Sequence, residues 1–329
     1  SATAVLRQRL VAIVQKQYLA VTPRPATIAL ATTVPKRCLA TTTADAADAA
    51  APTDDEKDTI AGPLSSSVRA FSPPTLRRVT KNYSRYYEVN GQPNLLFPSV
   101  TSVLNVLDKP GLSFWSVKQA LGAATTEITA SQQQAGPRPL TEAEIQAAID
   151  KGSLASKKVL GKAGDFGTRA HDVIDQLIAG IRGDDLSVDE DVKQVVKNFW
   201  DYWVESGVTL DPRGDTMVYS PRYGYAGALD ALALSHDGKL MVCDWKTSNA
   251  VYDSHIMQVA AYAKAAEENL LAAGCPPDQA KVHRACVVRF EKGKPGYEVH
   301  EVENIDAAFA AFKAALYLFH YRSTLMKKT

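Results

Sequence analysis

The feature that most constrains the fold is a pair of short apolar segments, residues 228–234 and 240–245, separated by Ser-His-Asp-Gly-Lys. This pattern predicts two antiparallel strands joined by a tight turn. A three-residue hairpin loop favours glycine at its left-handed position, so the glycine indicates a loop over residues 236–238. In that register Asp230 lies directly opposite Asp244. Because opposed side chains have Cβ atoms about 4.5–5.5 Å apart, we expect the two carboxylates to be close neighbours.

Lys246 adds a positive charge to this pair. It shares a face of its strand with Asp244, because strand side chains alternate. Two carboxylates at this separation repel each other unless one is protonated or a cation lies between them. A divalent ion that prefers oxygen ligands, Mg²⁺ first, would satisfy both acids. The alternative is a surface salt bridge between Lys246 and the two acids. A two-residue loop in place of the three-residue loop would also remove the register that pairs Asp230 with Asp244.

Three further features accompany the hairpin. Small residues at 224–227 precede Asp230 and would let another backbone approach closely. Gln258 and Tyr262 lie four positions apart in a predicted helix, so they share one helical face. His171 lies near the start of an earlier predicted helix. A helical histidine on its own is more often a packed or exposed residue than a ligand.

Taken together, these residues resemble the PD-(D/E)XK nuclease superfamily in its RecB-like branch, over residues 80–325. The matching motifs, in chain order, are Gly167-Thr168-x-x-His171, Gly227-x-x-Asp230, Asp244-Trp245-Lys246-Thr247 and Gln258-x-x-x-Tyr262. The resemblance implies an α/β fold with a restriction-endonuclease-like core, in which helices flank a mixed central β-sheet. It also implies metal-dependent hydrolysis of phosphodiester bonds.

The resemblance also implies roles for individual residues. Asp230, Asp244 and Lys246 would be catalytic, and Lys246 would orient or activate the attacking water. The metal ligands would be Asp230, Asp244, His171 and the backbone carbonyl of Trp245. Residues expected to bind DNA or support the active site are Gln258, Tyr262, Thr247 and Arg169.

The expected cofactor is Mg²⁺. Histidine is an uncommon Mg²⁺ ligand, so Mn²⁺ is expected to support activity as well. Asp215 stands where many relatives carry glutamate, which leaves its role open. The four cysteines have no C-x-x-C spacing, so we expect no iron–sulfur cluster, zinc site or disulfide framework.

The N-terminal region has a different composition from the rest. Residues 1–44 contain six bases and no acid, which predicts a mitochondrial transit peptide. A disordered basic tail and a plastid signal are the alternatives. Residues 45–67 predict a disordered linker, and residues 68–329 a single nuclease domain with a helical insertion around 122–205. With such a presequence, the chain resembles the mitochondrial genome maintenance exonuclease group, which acts on single-stranded DNA ends in mitochondrial DNA maintenance. The expected location is therefore the mitochondrial matrix.

The predicted elements of the body begin with a short helix after residue 97 and a loop or insertion at 124–140. Helices are expected at 142 onward, 168–181, 188–205, 254–273 and 305–321, and further strands at 216–220, 285–290 and 297–302. A basic and aromatic run at 69–87, with Lys157, Lys158, Lys162 and Arg169, would contact a DNA strand, or else form a solvated face. No apolar stretch approaches the roughly 18 residues of a membrane span.

Three functions are compatible with these features. The first is a metal-dependent exonuclease on single-stranded DNA in mitochondrial DNA maintenance. The second is a catalytically silent protein that keeps the nuclease fold as a structural subunit of a mitochondrial assembly. The third is an endonuclease or ribonuclease on the same fold. The absence of G-x-S-x-G argues against a serine hydrolase, and the absence of G-K-[ST] argues against a P-loop nucleotidase.

Overall fold

The fold was analysed in a computed structural model. The residues that it describes are 68, 71–72, 74–90, 95–136, 138–181 and 186–325. They all belong to one of two units of the chain, Ala50–Thr329. The predicted transit peptide, residues 1–44, and the predicted linker, residues 45–67, lie outside the described residues.

Groups of consecutive strands alternate with groups of consecutive helices along the described chain. The strands are β1 (Leu76–Lys81), β2 (Ser84–Val89), β3 (Leu96–Pro98), β4 (Thr209–Leu210), β5 (Thr216–Ser220), β6 (Tyr225–Leu229), β7 (Ala231–Leu234), β8 (Leu240–Lys246), β9 (Arg284–Arg289) and β10 (Glu298–Glu301). The helices are α1 (Val100–Leu104), α2 (Pro110–Ala135), α3 (Glu142–Ile178), α4 (Lys193–Ser206), α5 (Asp253–Ala272), α6 (Pro277–Ala280) and α7 (Ile305–Leu325).

The central sheet has the strand order β10-β9-β8-β7-β4. Strands β8 and β9 are parallel and are connected through α5 and α6, whereas the other neighbours are antiparallel. Apolar side chains on one face, such as Leu232 and Val242, pack against α5 and α7. The opposite face, with Ala231 and Cys243, packs against α3 and α4. The predicted α/β class, with a mixed sheet between helices, is therefore confirmed.

The strand predicted at 228–234 is interrupted at Asp230, so the prediction of one continuous strand is wrong. Strand β6 pairs with β5 in a separate two-stranded sheet, and β7 pairs with β8 in the central sheet. Asp230 lies between them in a bend. Its carboxylate accepts a hydrogen bond from the backbone amide of Trp245, in the place where a longer β7 would continue. Apolar patterning does not distinguish one strand from two consecutive strands in different sheets.

Of the two alternatives for 124–140, the loop is wrong, because α2 continues to Ala135. Its glutamines and alanines are good helix formers, and prolines follow only at positions 137 and 139. The predicted start of α3 is confirmed, since Thr141 and Glu144 form a capping box. This helix runs for 37 residues, so no separate helix begins at 168.

Helix α2 and the first part of α3 pack against each other as a helical hairpin, which we call the arm (residues 110–165). Within α3, only Ala148 and Gly152 are buried before Phe166. The arm carries exposed apolar side chains at Leu112, Phe114, Ile145, Ile149, Leu154 and Leu160. The predicted insertion at 122–205 therefore includes both the arm and core elements, because the end of α3 and all of α4 pack against the sheet.

An antiparallel meander, β1-β2-β3, precedes the central sheet in the chain. Within it Tyr87 is buried with Leu76, Phe97 and Ala226 of β6. In the predicted basic and aromatic run, Tyr87 thus lies in a small core and Tyr86 packs against Phe319 of α7. Its described cations, Arg77, Arg78, Lys81 and Arg85, are exposed. Among the helices of the described residues, none has the length and hydropathy to span a membrane.

Candidate functional site

The hairpin of β7 and β8 has the register expected from the sequence. Leu234 pairs with Leu240 and Ala231 with Cys243. Gly238 has a φ of 76°, the left-handed conformation predicted for this position. One step beyond the last pair, Asp230 and Asp244 occupy opposite positions. The loop length and its glycine therefore determine where the two acids meet.

Asp230 is held from two sides. The backbone amide of Trp245 donates to its Oδ2 at 2.6 Å. On the other side, Nδ1 of His171 lies 3.4 Å from its Oδ1. Burial favours the neutral carboxyl, but the charges of His171 and Lys246 outweigh it, so the pKa of Asp230 is lowered. Asp230 is thus a fixed carboxylate at neutral pH.

Asp244 is the most deeply buried acid of the site, with a side chain that is 1 % exposed. Its Oδ2 contacts the ammonium of Lys246 as an ion pair, whereas its Oδ1 has no hydrogen-bond partner within the described part of the chain. Burial raises the pKa of Asp244 to about 6, against the opposing effect of Lys246. Burial lowers the pKa of Lys246, but Asp244 and Asp230 outweigh it, so that the pKa is raised. Lys246 therefore stays protonated at neutral pH.

His171 reaches the hairpin because α3 packs on the sheet through Phe166 and Ala170. A Cβ at Gly167 would lie 3.4 Å from Oγ1 of Thr247, so the helix also runs close to the end of β8. Burial disfavours the protonated imidazole, but the carboxylate of Asp230 outweighs it and raises the pKa of His171 to about 9. A protonated His171 is therefore the resting partner of Asp230.

Helix α5 contributes Gln258 and Tyr262, which the sequence placed on one helical face. Nε2 of Gln258 donates to the hydroxyl of Tyr262 at 3.0 Å. The close approach predicted at 224–227 is made by the backbone of Ser99, which forms a parallel bridge with Ala226. The ring of Tyr262 also lies against this segment, because a Cβ at Gly227 would overlap with its Cε1. Burial and the negative charge of Asp244 raise the pKa of Tyr262. The hydroxyl of Tyr262 is therefore close enough to the acids to be affected by their charge.

Two acids and an arginine of the site were not assigned from the sequence. The carboxylate of Asp175 packs against Gly214, next to Asp215, and Asp215 accepts from Arg78 at 3.1 Å. Burial and the charges of Asp230 and Asp215 raise the pKa of Asp175 to about 6. The four-residue spacing from His171 to Asp175 is the signal that could have identified Asp175, because it puts both on one helical face.

His255, in the first turn of α5, is a further neighbour that sequence reasoning missed. Burial, together with the positive charges of Lys246 and Lys109, lowers the pKa of His255 to about 4. The imidazole is therefore neutral at physiological pH. It shares the helical face of Gln258 and Tyr262, and this spacing was visible in the sequence.

The structure does not bring Arg169 to this cluster. Its guanidinium pairs with the carboxylates of Asp189 and Asp191, in the segment before α4. Arg169 and His171 are two positions apart, about 200° around the helix axis, so they lie on opposite faces of α3. Arg169 thus links α3 to the segment before α4, and its expected contact with DNA stays a prediction. Lys157, Lys158 and Lys162 lie on the arm.

The chemistry of the site fits a divalent cation. Carboxylate oxygens are the preferred ligands of such ions, and Oδ1 of Asp244 is one that no described residue satisfies. The carbonyl of Lys246 accepts from Phe290 on the β9 side, so strand alternation turns the carbonyl of Trp245 towards Asp230. Across the described ranges, no three His, Cys, Asp or Glu side chains are already arranged as a metal cage. Binding would require the ammonium of Lys246 to move from Asp244.

No protein-family model matches the chain, and no curated protein is significantly similar to it. The inference about function therefore rests on the residues of the site.

Proposed function

We propose that this protein is a metal-dependent nuclease of the PD-(D/E)XK superfamily, RecB-like branch, that hydrolyses phosphodiester bonds at the ends of single-stranded DNA. One observation carries the proposal: Asp230, Asp244 and Lys246 meet at the end of one hairpin, where a buried oxygen of Asp244 has no hydrogen-bond partner among the described residues. The four sequence motifs also come into contact, through His171 with Asp230 and through Gly227 with Tyr262.

Asp230, Asp244, His171 and the carbonyl of Trp245 would hold Mg²⁺ or Mn²⁺. When bound, the ion would lower the pKa of a water and neutralise charge on the phosphate oxygens. A hydrogen bond from the Trp245 amide keeps Asp230 oriented for this task. His171 must lose its proton to become a ligand, so ion binding would release a proton.

Lys246 has the role of a charged donor. In the metal-free site Asp244 and Asp230 raise the pKa of Lys246, so its ammonium is protonated there. It can donate hydrogen bonds to the attacking water and to the oxygen on which negative charge develops, which is the usual form of electrostatic stabilisation. Gln258 and Tyr262, linked by their hydrogen bond, would orient the strand or the water beside it.

End-labelled single-stranded DNA, the same strand closed into a circle, and duplex DNA test the proposal directly. With Mg²⁺ or Mn²⁺ we expect the linear strand to disappear and the circle to survive. Cleavage of the circle would contradict an exonuclease and favour an endonuclease. If no nucleic acid is cleaved with either metal, the nuclease assignment is wrong.

The proposed location is the mitochondrial matrix, and it rests on the acid-free composition of residues 1–44. A fluorescent reporter fused to residues 1–60 should enter mitochondria. Cytosolic or plastid fluorescence would contradict the proposal. This test is independent of the catalytic site.

A catalytically silent fold is the second candidate, and the ion pair of Lys246 with Asp244 favours it. In that case the lysine would serve only to neutralise a buried acid. The two candidates differ in one measurable property. A silent protein would show neither metal-dependent cleavage nor a metal-induced rise in melting temperature.

A further inference from the structure

The turn between β1 and β2 consists of Asn82 and Tyr83, with φ values of 50° and 60°. Such a two-residue turn favours glycine at its second position, and a bulky residue with positive φ is a rare outlier. The side chain of Tyr83 is fully exposed, at 106 % of its reference area. The tyrosine therefore strains the backbone without packing on any described residue. Folding alone does not explain its presence.

Two cations flank this tyrosine. Lys81 and Arg85 are exposed, and among the described residues no acid forms an ion pair with either. Farther along the same hairpin, Arg77 and Arg78 do have acidic partners, namely Glu88 and Asp215. Unpaired positive charge is thus concentrated at the turn.

The hairpin leads to the candidate active site. Arg78 pairs with Tyr87 and Thr80 with Arg85 across the two strands, so Arg78 and Arg85 lie on the same face. Arg78 contacts Asp215 beside the site. Strands rise about 3.3 Å per residue, so the turn lies within roughly 16 Å of Arg78. Arg78 and Arg85 are therefore two cations on one face of the hairpin, between the acid cluster and the exposed ring. Lys81 pairs with Ser84 and lies on the other face, next to the turn.

We propose that this turn is a binding site for single-stranded DNA, in which a base stacks on Tyr83 and the adjoining phosphates contact Arg85 and Lys81. The inference rests on the proposed function, because the strand bound at the turn is the substrate strand whose end would lie in the active site. Stacking on aromatic side chains and backbone contacts with cations are the general means of holding single strands without sequence preference. The exposed ring and the unpaired cations meet both requirements.

The test is binding of fluorescent oligo-dT, and of an abasic oligonucleotide of equal length, to the full chain in EDTA. Tyr83→Gly should weaken oligo-dT binding about 5- to 100-fold, the range typical of one lost stacking contact. Tyr83→Phe keeps the ring and should bind like wild type. Binding of the abasic strand should be the same for all three. The glycine variant should melt no lower than wild type, because it relieves the positive φ.

Charge substitutions separate phosphate contacts from stacking. Arg85→Gln should weaken both oligonucleotides and reduce the slope of log affinity against log salt by about one. Arg77→Gln is the matched control, because Arg77 is already paired with Glu88, and it should change neither. Equal affinity of Tyr83→Gly and wild type for oligo-dT would overturn the proposal. An equal loss on both strands would overturn it too, because the ring would then not stack on a base.

Failure of the proposed function gives a different result. Wild-type protein that binds oligo-dT through Tyr83 but cleaves nothing would contradict the hydrolysis and leave this binding site intact. Wild-type protein that does not bind oligo-dT would overturn the binding site. With an active enzyme, a small phosphodiester such as bis(p-nitrophenyl) phosphate should be hydrolysed equally by wild type and Tyr83→Gly, because it does not reach the turn.

Discussion

The ring of Tyr262 lies so close to the backbone of Gly227 that a Cβ at that glycine would overlap with Cε1. This contact joins α5 to β6 immediately before Asp230. It thereby fixes the distance between the helix that carries Gln258 and the strand that leads to Asp230. Two motifs that are 35 positions apart in the chain are thus parts of one packing contact.

Gly227→Ala should destabilise the protein, because the ring that it meets is packed in the core and cannot move freely. Overpacking of this kind typically costs about 1–3 kcal/mol. The cost should be much smaller in a Tyr262→Ala background, which removes the opposing atoms. The measurement is the free energy of unfolding of the two single variants and the double variant. Gly161→Ala is the control: a Cβ there meets nothing within 4 Å, and it should stabilise the arm. Additive costs would contradict the contact.

The hydrogen bond from Gln258 to Tyr262 should contribute to cleavage more than to stability. Tyr262→Phe retains the buried ring and removes only the hydroxyl, so it is a better test than truncation of this core residue. We expect it and Gln258→Ala to lower the cleavage rate about tenfold, the usual effect of one lost hydrogen bond. Tyr225→Phe is the matched control, because its hydroxyl donates to the carbonyl of Ala261, away from the acids. If all three variants cleave equally, the helix face is only structural.

His171 should make stability depend on pH in the alkaline range. Its pKa is about 9 in the folded protein against 6.5 for the free group, so the folded state holds a proton that the unfolded chain has lost. This contribution is complete below about pH 6.5 and disappears as the pH rises through 9. The melting temperature in EDTA should therefore fall between pH 7 and pH 9.5. His171→Gln should lack this decrease, and an unchanged decrease in that variant would contradict the assignment.

The local features of the site were predictable from the sequence. The turn glycine at position 238 determines the register, and the register brings Asp230 to Asp244. The four-residue spacing likewise placed Gln258 beside Tyr262. Both pairs could be predicted because the two acids lie in a single hairpin, and Gln258 and Tyr262 lie in a single helix. The contact of His171 with Asp230 forms only once α3 has packed on the sheet, so the family resemblance could suggest it but no local pattern could.

The features that the sequence did not predict depend mainly on contacts between elements that are distant in the chain. Arg169 looked available for DNA, but Asp189 and Asp191 lie about 20 residues away along the chain and only the fold brings them to it. The break at Asp230 occurs where the chain leaves the sheet of β5 and enters the central sheet, and there the Asp230 carboxylate accepts from the Trp245 amide of β8. The end of α2 was predicted as a loop or insertion because its glutamines give no apolar periodicity, although they favour helix.

The measurement that tests the central claim most directly compares Asp244→Asn and Lys246→Ala with wild type, with EDTA and with Mn²⁺ or Mg²⁺. Both variants should lose cleavage by roughly 10²–10³-fold or more. In wild type and Lys246→Ala the ion should raise the melting temperature. In Asp244→Asn this rise should be absent, while the melting temperature in EDTA should equal or exceed that of wild type, because burial disfavours the Asp244 charge. Wild-type protein with neither metal-dependent cleavage nor a metal-induced rise in melting temperature would contradict the account.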